Sequence, residues 1–181
     1  MSSKAARRYA QAYMETAIER GILEDVKQDM NLIGELLNGS RELRAFLKSP
    51  IVKQEQKKAA LDEIFSTDTH DLTVKLLALL IEKNRESLLE KITGHFLELY
   101  NIHHGIIVVN VTSAFELDDK QIATLKSQLE SSTGKNVQMN RTVDSELIGG
   151  MMVRIDDTVI DGSVKFKLNQ LKEQFSLASV E

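Results

Sequence analysis

The segment Asp161-Gly162-Ser163 places a hydroxyl two residues from a carboxylate, which is the pairing that a small hydrolase could use. A serine nucleophile also needs a general base, usually a histidine, and the sequence after Gly105 contains no histidine. A capping role for Ser163 at the start of the last helix is therefore the better interpretation. A hydrolase using Asp161 and Ser163 remains only as an alternative.

Two glycine-containing segments could be taken for phosphate-binding loops. Gly149-Gly150 lacks a further glycine at dinucleotide-binding spacing and is not followed by a helix start. Gly134-Lys135 resembles the end of a nucleotide-binding loop, but Leu129 occupies the required glycine position and no Ser or Thr follows the lysine. Gly134 is instead predicted to end a helix, and no cofactor is predicted.

The histidines and the basic residues also give no indication of a metal site or a nucleic-acid-binding site. The four histidines, His70, His95, His103 and His104, show no metalloprotease spacing, and the chain has no cysteine, so no metal site is predicted. The formal net charge is −4 and neither side of Gly105 is basic, which argues against a nucleic-acid-binding protein. Lys53, Lys57 and Lys58 alternate with polar residues, which predicts a solvated helix face.

The chain has 181 residues, which is long enough for two globular domains to position these side chains. Hydrophobic residues make up 42% and charged residues 28%, as in ordinary water-soluble proteins. No apolar run approaches the length of roughly 18 residues that a membrane span requires. The N-terminus shows no signal-peptide core, so a cytoplasmic location is expected.

Up to His104 the apolar residues recur at spacings of three and four, which predicts six helices. They are expected at about Ser3–Arg20, about Leu23–Leu37, a short third helix capped by Ser40 that stops before Pro50, Lys53–Phe65, a fifth helix that ends at about Lys83, and about Glu86–His104. Ile64 is expected to face inward on the fourth helix, the cluster Ser66-Thr67-Asp68 to end it, and Thr69 or Asp71 to cap the fifth.

After Gly105 the pattern changes to strands. Strands are predicted at Ile106–Thr112 and Asn136–Val143, and a hairpin at Leu147–Ile155 and Thr158–Ile160 closed by Asp156-Asp157. A helix is predicted from a capping box at Asp118 and Gln121 to Gly134, and another from Val164 to about Phe175. The predicted fold is thus an N-terminal all-α six-helix bundle (1–104) and a small C-terminal α/β domain (105–181).

Two helices carry surfaces suited to protein contact. Ala5 and Ala12 form a strip of small residues on the first helix, where another helix can approach closely. The fifth helix is apolar most of the way round, so either it is the central helix of the bundle or a second face of it is covered by something outside the domain. The two surfaces could form a groove for an amphipathic helix, or both could face the bundle interior.

Two segments resemble a known family. Ala6-Arg7-Arg8-Tyr9-Ala10-Gln11-Ala12 resembles the opening helix of the delta subunits of bacterial F-type ATP synthases, which are similar to the mitochondrial oligomycin-sensitivity-conferring protein. The second segment resembles the C-terminal signature of that family, with Leu147, Ile148, Gly149, Gly150, Asp161, Gly162 and Ser163 at its centre, followed by Leu168 and Leu171. The chain departs from the family at Asp156, where a glycine is common, and at Phe166, where a small residue is common.

This resemblance implies a non-catalytic stator subunit at the cytoplasmic face of the bacterial cell membrane, which couples proton flow to ATP synthesis. The N-terminal bundle would bind the N-terminal helix of an alpha subunit between its first and fifth helices, and the C-terminal domain would bind the b-subunit stalk. The predicted alpha-binding residues are Ala5, Arg8, Tyr9, Ala12, Val74, Ala78 and Ile81, and the predicted stalk-binding residues are Leu168, Leu171 and Phe175. A helical RNA-binding factor of the transcription-antitermination type is the alternative.

Overall fold

A computed structural model describes residues 2–65 and 69–178 of the chain. The chain forms two compact units, Met1–His103 and His104–Glu181. Helices alone make up the described part of the first unit, and the second combines helices with a four-stranded sheet. The helical N-terminal part and the small C-terminal α/β part are therefore confirmed. No helix in the described ranges is both long enough and apolar enough to cross a membrane.

In the first unit, small and aromatic residues set the packing of the helices. The elements are α1 (Ser2–Glu19), α2 (Leu23–Gly39), α3 (Arg41–Lys48), α4 (Gln54–Phe65), α5 (Asp71–Glu82), a 3-10 turn (Glu86–Leu88) and α6 (Leu89–His103). Ala6, Ala10 and Ala17 are fully buried on α1, which packs against α6. Tyr13 fills the space between these two helices, with its ring centroid 5.4 Å from that of Phe96.

The helix ends correct one prediction and confirm another. Ser40 caps α3, since its hydroxyl accepts a hydrogen bond from the Leu43 amide at 3.1 Å. The N-cap of α5 is neither Thr69 nor Asp71 but His70, whose Nδ1 accepts from the Leu72 amide at 3.1 Å. The Thr69 hydroxyl instead donates to the Phe65 carbonyl at 2.7 Å, back toward α4. The expected stop at Ser66-Thr67-Asp68 lies outside the described residues.

Three predictions are wrong, two about α4 and one about the start of α6. Ile64 is 40% exposed, because Leu61 and Phe65, four residues apart, already occupy the buried face of α4. Lys57 does not lie on a solvated face: it is 4% exposed and its ammonium group donates to the carboxylate of Glu86. Glu86 itself lies in the 3-10 turn, so α6 starts at Leu89 and not at Glu86.

The second unit is built on a mixed sheet of strand order β2-β1-β3-β4. Its elements are β1 (Ile106–Ser113), α7 (Asp119–Thr133), β2 (Asn136–Val143), a 3-10 turn (Ser145–Leu147), β3 (Met151–Ile155), β4 (Thr158–Asp161) and α8 (Val164–Ala178). β1 pairs with β2 in parallel through the α7 crossover, and the other pairings are antiparallel. Val109, Val111, Val137 and Val153 form the core of this unit.

The turns of the second unit confirm the capping box and correct the hairpin. The Asp118 carboxylate accepts from the Gln121 amide at 2.7 Å, and Gly134 ends α7 with a φ of 66°. Leu147 is not part of a strand but ends a 3-10 turn, so β3 starts only at Met151. Asp156 adopts a φ of 49° in the hairpin loop, a left-handed conformation that aspartate tolerates better than most residues.

Candidate partner-binding surfaces

An open groove runs between α1 and α5 in the first unit. We call it the α1/α5 groove, and the described residues that line it are Tyr9, Ala12, Tyr13, Thr16, Leu72, Lys75, Leu76 and Leu79. Leu72, Leu76 and Leu79 recur at spacings of four and three, so they share one face of α5. Because Ala12 has only a methyl group, the opposite wall is low and leaves Leu79 40% exposed.

Two further depressions adjoin this groove. The Arg8 pocket, about 490 Å³ in volume, is lined by Lys4, Ala5, Arg8, Tyr9, Ala12 and Arg85. The Ile81 pocket, about 580 Å³, is lined by Gln54, Glu55, Lys58, Lys75, Ala78, Leu79, Ile81 and Glu82. The first shares Tyr9 and Ala12 with the α1/α5 groove, and the second shares Lys75 and Leu79 with it. We call these three adjoining depressions together the concave surface, which spans α1, α5 and α4.

The structure brings most of the predicted alpha-binding residues to this surface. Ala5, Arg8, Tyr9 and Ala12 line the Arg8 pocket, and Ala78 and Ile81 line the Ile81 pocket. Ala12 is exposed, so it does not face the bundle interior. Val74 is half-buried and lines none of the three depressions.

Sequence reasoning missed several residues of the same surface. The missed lining residues include Thr16, Leu72, Lys75, Leu76, Leu79 and Arg85. The spacing of Leu72, Leu76 and Leu79 could have identified them, because it places all three leucines on one face of α5, beside Ala78. No sequence signal pointed to Arg85, because it lies after α5 and reaches α1 only through the folding of the chain.

A buried polar network fixes the position of α5 relative to α1. The Tyr13 hydroxyl lies 2.6 Å from the Thr73 hydroxyl, which donates to the Asp29 carboxylate of α2. The same carboxylate accepts from the backbone amide of His70 at 2.9 Å. Burial raises the pKa of Tyr13 above its ordinary value, so its hydroxyl stays neutral. The network joins three helices beneath the groove, and the groove is therefore preformed.

Arg85 is held at one end of the surface by Tyr9. Its guanidinium group donates to the Tyr9 hydroxyl at 3.0 Å and lies 5.6 Å from the centroid of the tyrosine ring. This cation–π geometry keeps the planar group against α1 and leaves further N–H donors directed elsewhere. The nearby Lys83 pairs with Glu82 at 2.8 Å.

The second unit carries an apolar stripe on its last helix, α8. Val164, Leu168 and Leu171 are separated by four and three residues, so they share one helix face. Leu168 is 51% and Leu171 48% exposed, which is unusual for leucines aligned on a helix. The side chain of Phe175, also predicted to bind the stalk, lies outside the described part of the structure. We call Val164, Leu168 and Leu171 the α8 stripe.

The signature residues hold the start of α8 against the turn before β3. Gly150 has a φ of +75°, and a Cβ at this position would lie 2.4 Å from the Gly162 carbonyl oxygen. A Cβ at Gly149 would lie 2.9 Å from Val164 Cγ2. Only glycine permits such close approach of two backbones. Beside them Leu147 is buried, whereas Ile148 is exposed with a φ of 67°.

The Asp161-Gly162-Ser163 segment is a helix start in the structure. The Asp161 carboxylate accepts from the Ser163 amide at 2.8 Å, and the Ser163 hydroxyl accepts from the Phe166 amide at 3.1 Å. Ser163 is 1% exposed, so its hydroxyl has no access to a substrate. Within residues 2–65 and 69–178, no group of three or more metal-ligating side chains could hold an ion.

Comparisons with known proteins agree over nearly the whole chain. A model of the family described as ATP synthase delta (OSCP) subunit matches residues 5–175. The chain is 41% identical over 177 residues to the ATP synthase subunit delta of Chlorobium phaeovibrioides, covering 98% of this chain and 97% of that protein. It is 37% identical over 174 residues to the same subunit of Salinibacter ruber, covering 96% and 92%.

A solved structure shares the fold. A chain of the Toxoplasma gondii mitochondrial ATP synthase hexamer superposes with a TM-score of 0.75, at 22% sequence identity. The superposition covers 94% of this chain and 96% of that one. The order of the helical part and the α/β part is therefore common to both proteins.

Proposed function

Because the chain belongs to the family of ATP synthase delta (OSCP) subunits, peripheral-stalk components of F-type ATP synthases, we propose that it is a non-catalytic connector. It joins the alpha subunits of the catalytic head to the b-subunit stalk. By holding the head still against the torque of the rotor, it keeps proton flow coupled to ATP synthesis. The RNA-binding and hydrolase alternatives are set aside, because the family match spans residues 5–175.

In this proposal the two units divide the work. The six helices of residues 1–104 act as one bundle that binds the head, and residues 105–181 bind the stalk. The protein lies at the cytoplasmic face of the bacterial cell membrane, as one copy in each complex. It carries out no nucleotide chemistry of its own, since its task requires only contacts that dissociate slowly.

The observation that carries the proposal is the preformed α1/α5 groove. An amphipathic helix buries its apolar face in a groove of this kind through anchors spaced three or four residues apart. The exposed Leu79 offers the apolar contact, and Ala12 lets the incoming backbone approach closely. We assign this groove to the N-terminal helix of an alpha subunit.

The α8 stripe supports the second contact. Leu168 and Leu171 expose apolar surface that gains free energy when a partner removes it from water. The b-subunit stalk is helical in this proposal, and a helix with a matching apolar stripe would pack against α8 by ridges into grooves.

The alpha contact is tested with the full-length chain and a synthetic peptide of the alpha-subunit N-terminus from the same organism. Ala12→Arg puts a long cation into the low wall of the groove and is expected to weaken binding by about thirtyfold or more, equivalent to about 2 kcal/mol. Isothermal titration calorimetry gives the affinity. Ala12 is exposed, so the variant should fold like the wild type.

Gln11→Arg is the matched control. Gln11 is also exposed on α1 but lines none of the three depressions, and the same added charge there should leave the affinity unchanged. Failure of the wild-type chain to bind the peptide, or equal loss in both variants, would contradict the alpha-subunit assignment.

A further inference from the structure

Basic residues are concentrated on the concave surface of an otherwise acidic protein. The charged residues that line its three depressions are the cations Lys4, Arg8, Lys58, Lys75 and Arg85 and the anions Glu55 and Glu82. The formal net charge of the whole chain is −4, so this excess of positive charge is opposite to the average of the molecule. Such a local field selects an oppositely charged partner and speeds its arrival.

The charges are distributed unevenly along the surface. The Arg8 pocket has Lys4, Arg8 and Arg85 in its wall, and no carboxylate belongs to the described residues that line it. The Ile81 pocket contains both signs. One end of the surface is therefore positive, and the other is close to balanced.

Arg85 contacts Tyr9 at the edge of the Arg8 pocket before any partner arrives. Its contacts with the Tyr9 hydroxyl and ring fix the plane of the guanidinium group at the edge of the Arg8 pocket. A fixed planar fork loses little further entropy when it binds a carboxylate, and two of its N–H groups can bind both oxygens. Arg8, exposed on α1, lines the same pocket and can reach the same anion.

We propose that Arg8 and Arg85 bind a carboxylate of the helix that occupies the α1/α5 groove, and that this ion pair fixes the direction in which that helix lies. The inference rests on the proposed function, because the occupant is the alpha-subunit N-terminal helix. That helix carries an Asp or Glu at the end of its apolar stripe that reaches the Arg8 pocket. Reversed docking would move this carboxylate away from Arg8 and Arg85 into the apolar part of the groove at Leu72 and Leu76, where Lys75 is the one cation among the described lining residues.

The chemistry of the surface favours an acidic helix over a free anion. The pocket with the three cations adjoins the apolar α1/α5 groove, since Tyr9 and Ala12 line both. A carboxylate attached to an amphipathic helix uses both parts at once, whereas a small anion would contact only the cations. The apolar contact supplies affinity and the ion pair supplies orientation.

The test measures how the full-length chain binds the alpha-subunit N-terminal peptide by calorimetry at low and high sodium chloride. Arg85→Gln and Arg8→Gln are each expected to weaken binding by roughly tenfold at low salt and by less at high salt, since screening already weakens the pair. Arg7→Gln is the matched control: Arg7 is exposed on α1, lines none of the three depressions, and should bind like the wild type.

The peptide supplies the other half of the test. Each Asp and Glu of the peptide is replaced in turn by Asn or Gln. One of these replacements should weaken binding as much as Arg85→Gln does, and combining the two changes should cause no further loss of affinity. Tyr9→Phe removes the hydroxyl that holds Arg85 but keeps the ring and the charge. It should weaken binding less than Arg85→Gln, which separates the guanidinium's contact with the peptide from a structural role.

The outcomes distinguish the inference from the proposed function. Tight peptide binding that is unchanged by Arg8→Gln and Arg85→Gln, or that couples to no acidic position of the peptide, overturns the inference and leaves the connector proposal intact. No binding by the wild-type chain at either salt concentration overturns both.

Discussion

The two units place apolar surface in opposite ways. The first unit closes its core with large side chains such as Phe65 and Phe96, adds buried polar links, and forms a partly apolar groove between α1 and α5. The second unit has a core of four valines, its helix α7 has no buried residue, and α8 carries half-exposed leucines. A preformed groove can bind a partner without rearrangement, whereas the apolar side chains of an exposed stripe are removed from water only when a partner binds.

Breaking the most deeply buried ion pair should give the largest effect. Lys57 and Glu86 are 5% and 8% exposed at their side chains, and the lysine also donates to the Leu47 carbonyl at 3.0 Å. Lys57→Met leaves the carboxylate buried without a cation, and we expect a loss of about 3–5 kcal/mol in the free energy of unfolding. Urea unfolding followed by tyrosine fluorescence reports on this unit alone, since all three tyrosines, Tyr9, Tyr13 and Tyr100, belong to it.

The controls for this experiment use the same unit. Lys48→Met removes a solvent-exposed pair with Glu90, whose two groups lie 3.1 Å apart, and should cost less than about 1 kcal/mol. The double variant Lys57→Met/Glu86→Leu should recover most of the lost stability, because no unpaired charge remains buried. Equal stability of Lys57→Met and Lys48→Met would show that burial of the pair is unimportant, and that this polar link does not distinguish the first unit from the second.

In the second unit, the next-largest loss of stability is expected where two backbone segments approach each other closely. Gly150→Ala adds a Cβ that would lie 2.4 Å from the Gly162 carbonyl oxygen, at a φ of +75° that disfavours L residues. We expect a loss of about 2–4 kcal/mol, from left-handed strain and overpacking together. Thermal unfolding by circular dichroism and hydrogen exchange across β3 and β4 would measure it.

Gly134 offers a matched comparison for this substitution. It has a φ of +66°, but a Cβ there would meet no atom within 4 Å. Gly134→Ala should therefore cost only the backbone strain, about 1 kcal/mol. If both alanine variants lost the same amount, the contact between Gly150 and Gly162 would not be what positions α8.

Local sequence patterns predicted the local structure of both units well. The capping box at Asp118 and Gln121, the Gly134 helix end and the bounds of β2 depend on residues close together in the chain. The error at Lys57 concerns a long-range partner. Lys57 looked like a surface residue because Glu86, which lies 29 residues later, neutralises its charge only in the folded chain.

The same distinction applies to the candidate surfaces. Ala5, Ala12 and the apolar character of α5 indicated a groove, since helix periodicity identifies faces. Arg85 could not be identified, because its contact with Tyr9 joins residues 76 positions apart. Periodicity predicts which residues share a helix face, but not which other helix packs beside it.

The smallest effect on stability should come from the α8 stripe, where the effect on binding should be large. Leu168→Ser/Leu171→Ser replaces side chains that are already about half exposed, so we expect the free energy of unfolding to change by less than roughly 0.5 kcal/mol per site. Binding to the b-subunit stalk, measured by pull-down with the full-length chain, should fall by about tenfold or more if these leucines are buried only in the complex.

Asn169→Ser/Gln170→Ser is the control, because both residues are exposed on α8 and lie off the stripe. It should change neither stability nor stalk binding. A large loss of stability in the leucine variant would mean that the stripe belongs to the core of the second unit, and the two units would then bury their apolar surface alike. Retained stalk binding would instead show that the stalk contacts another surface, since an apolar stripe that no partner covers contributes nothing to affinity.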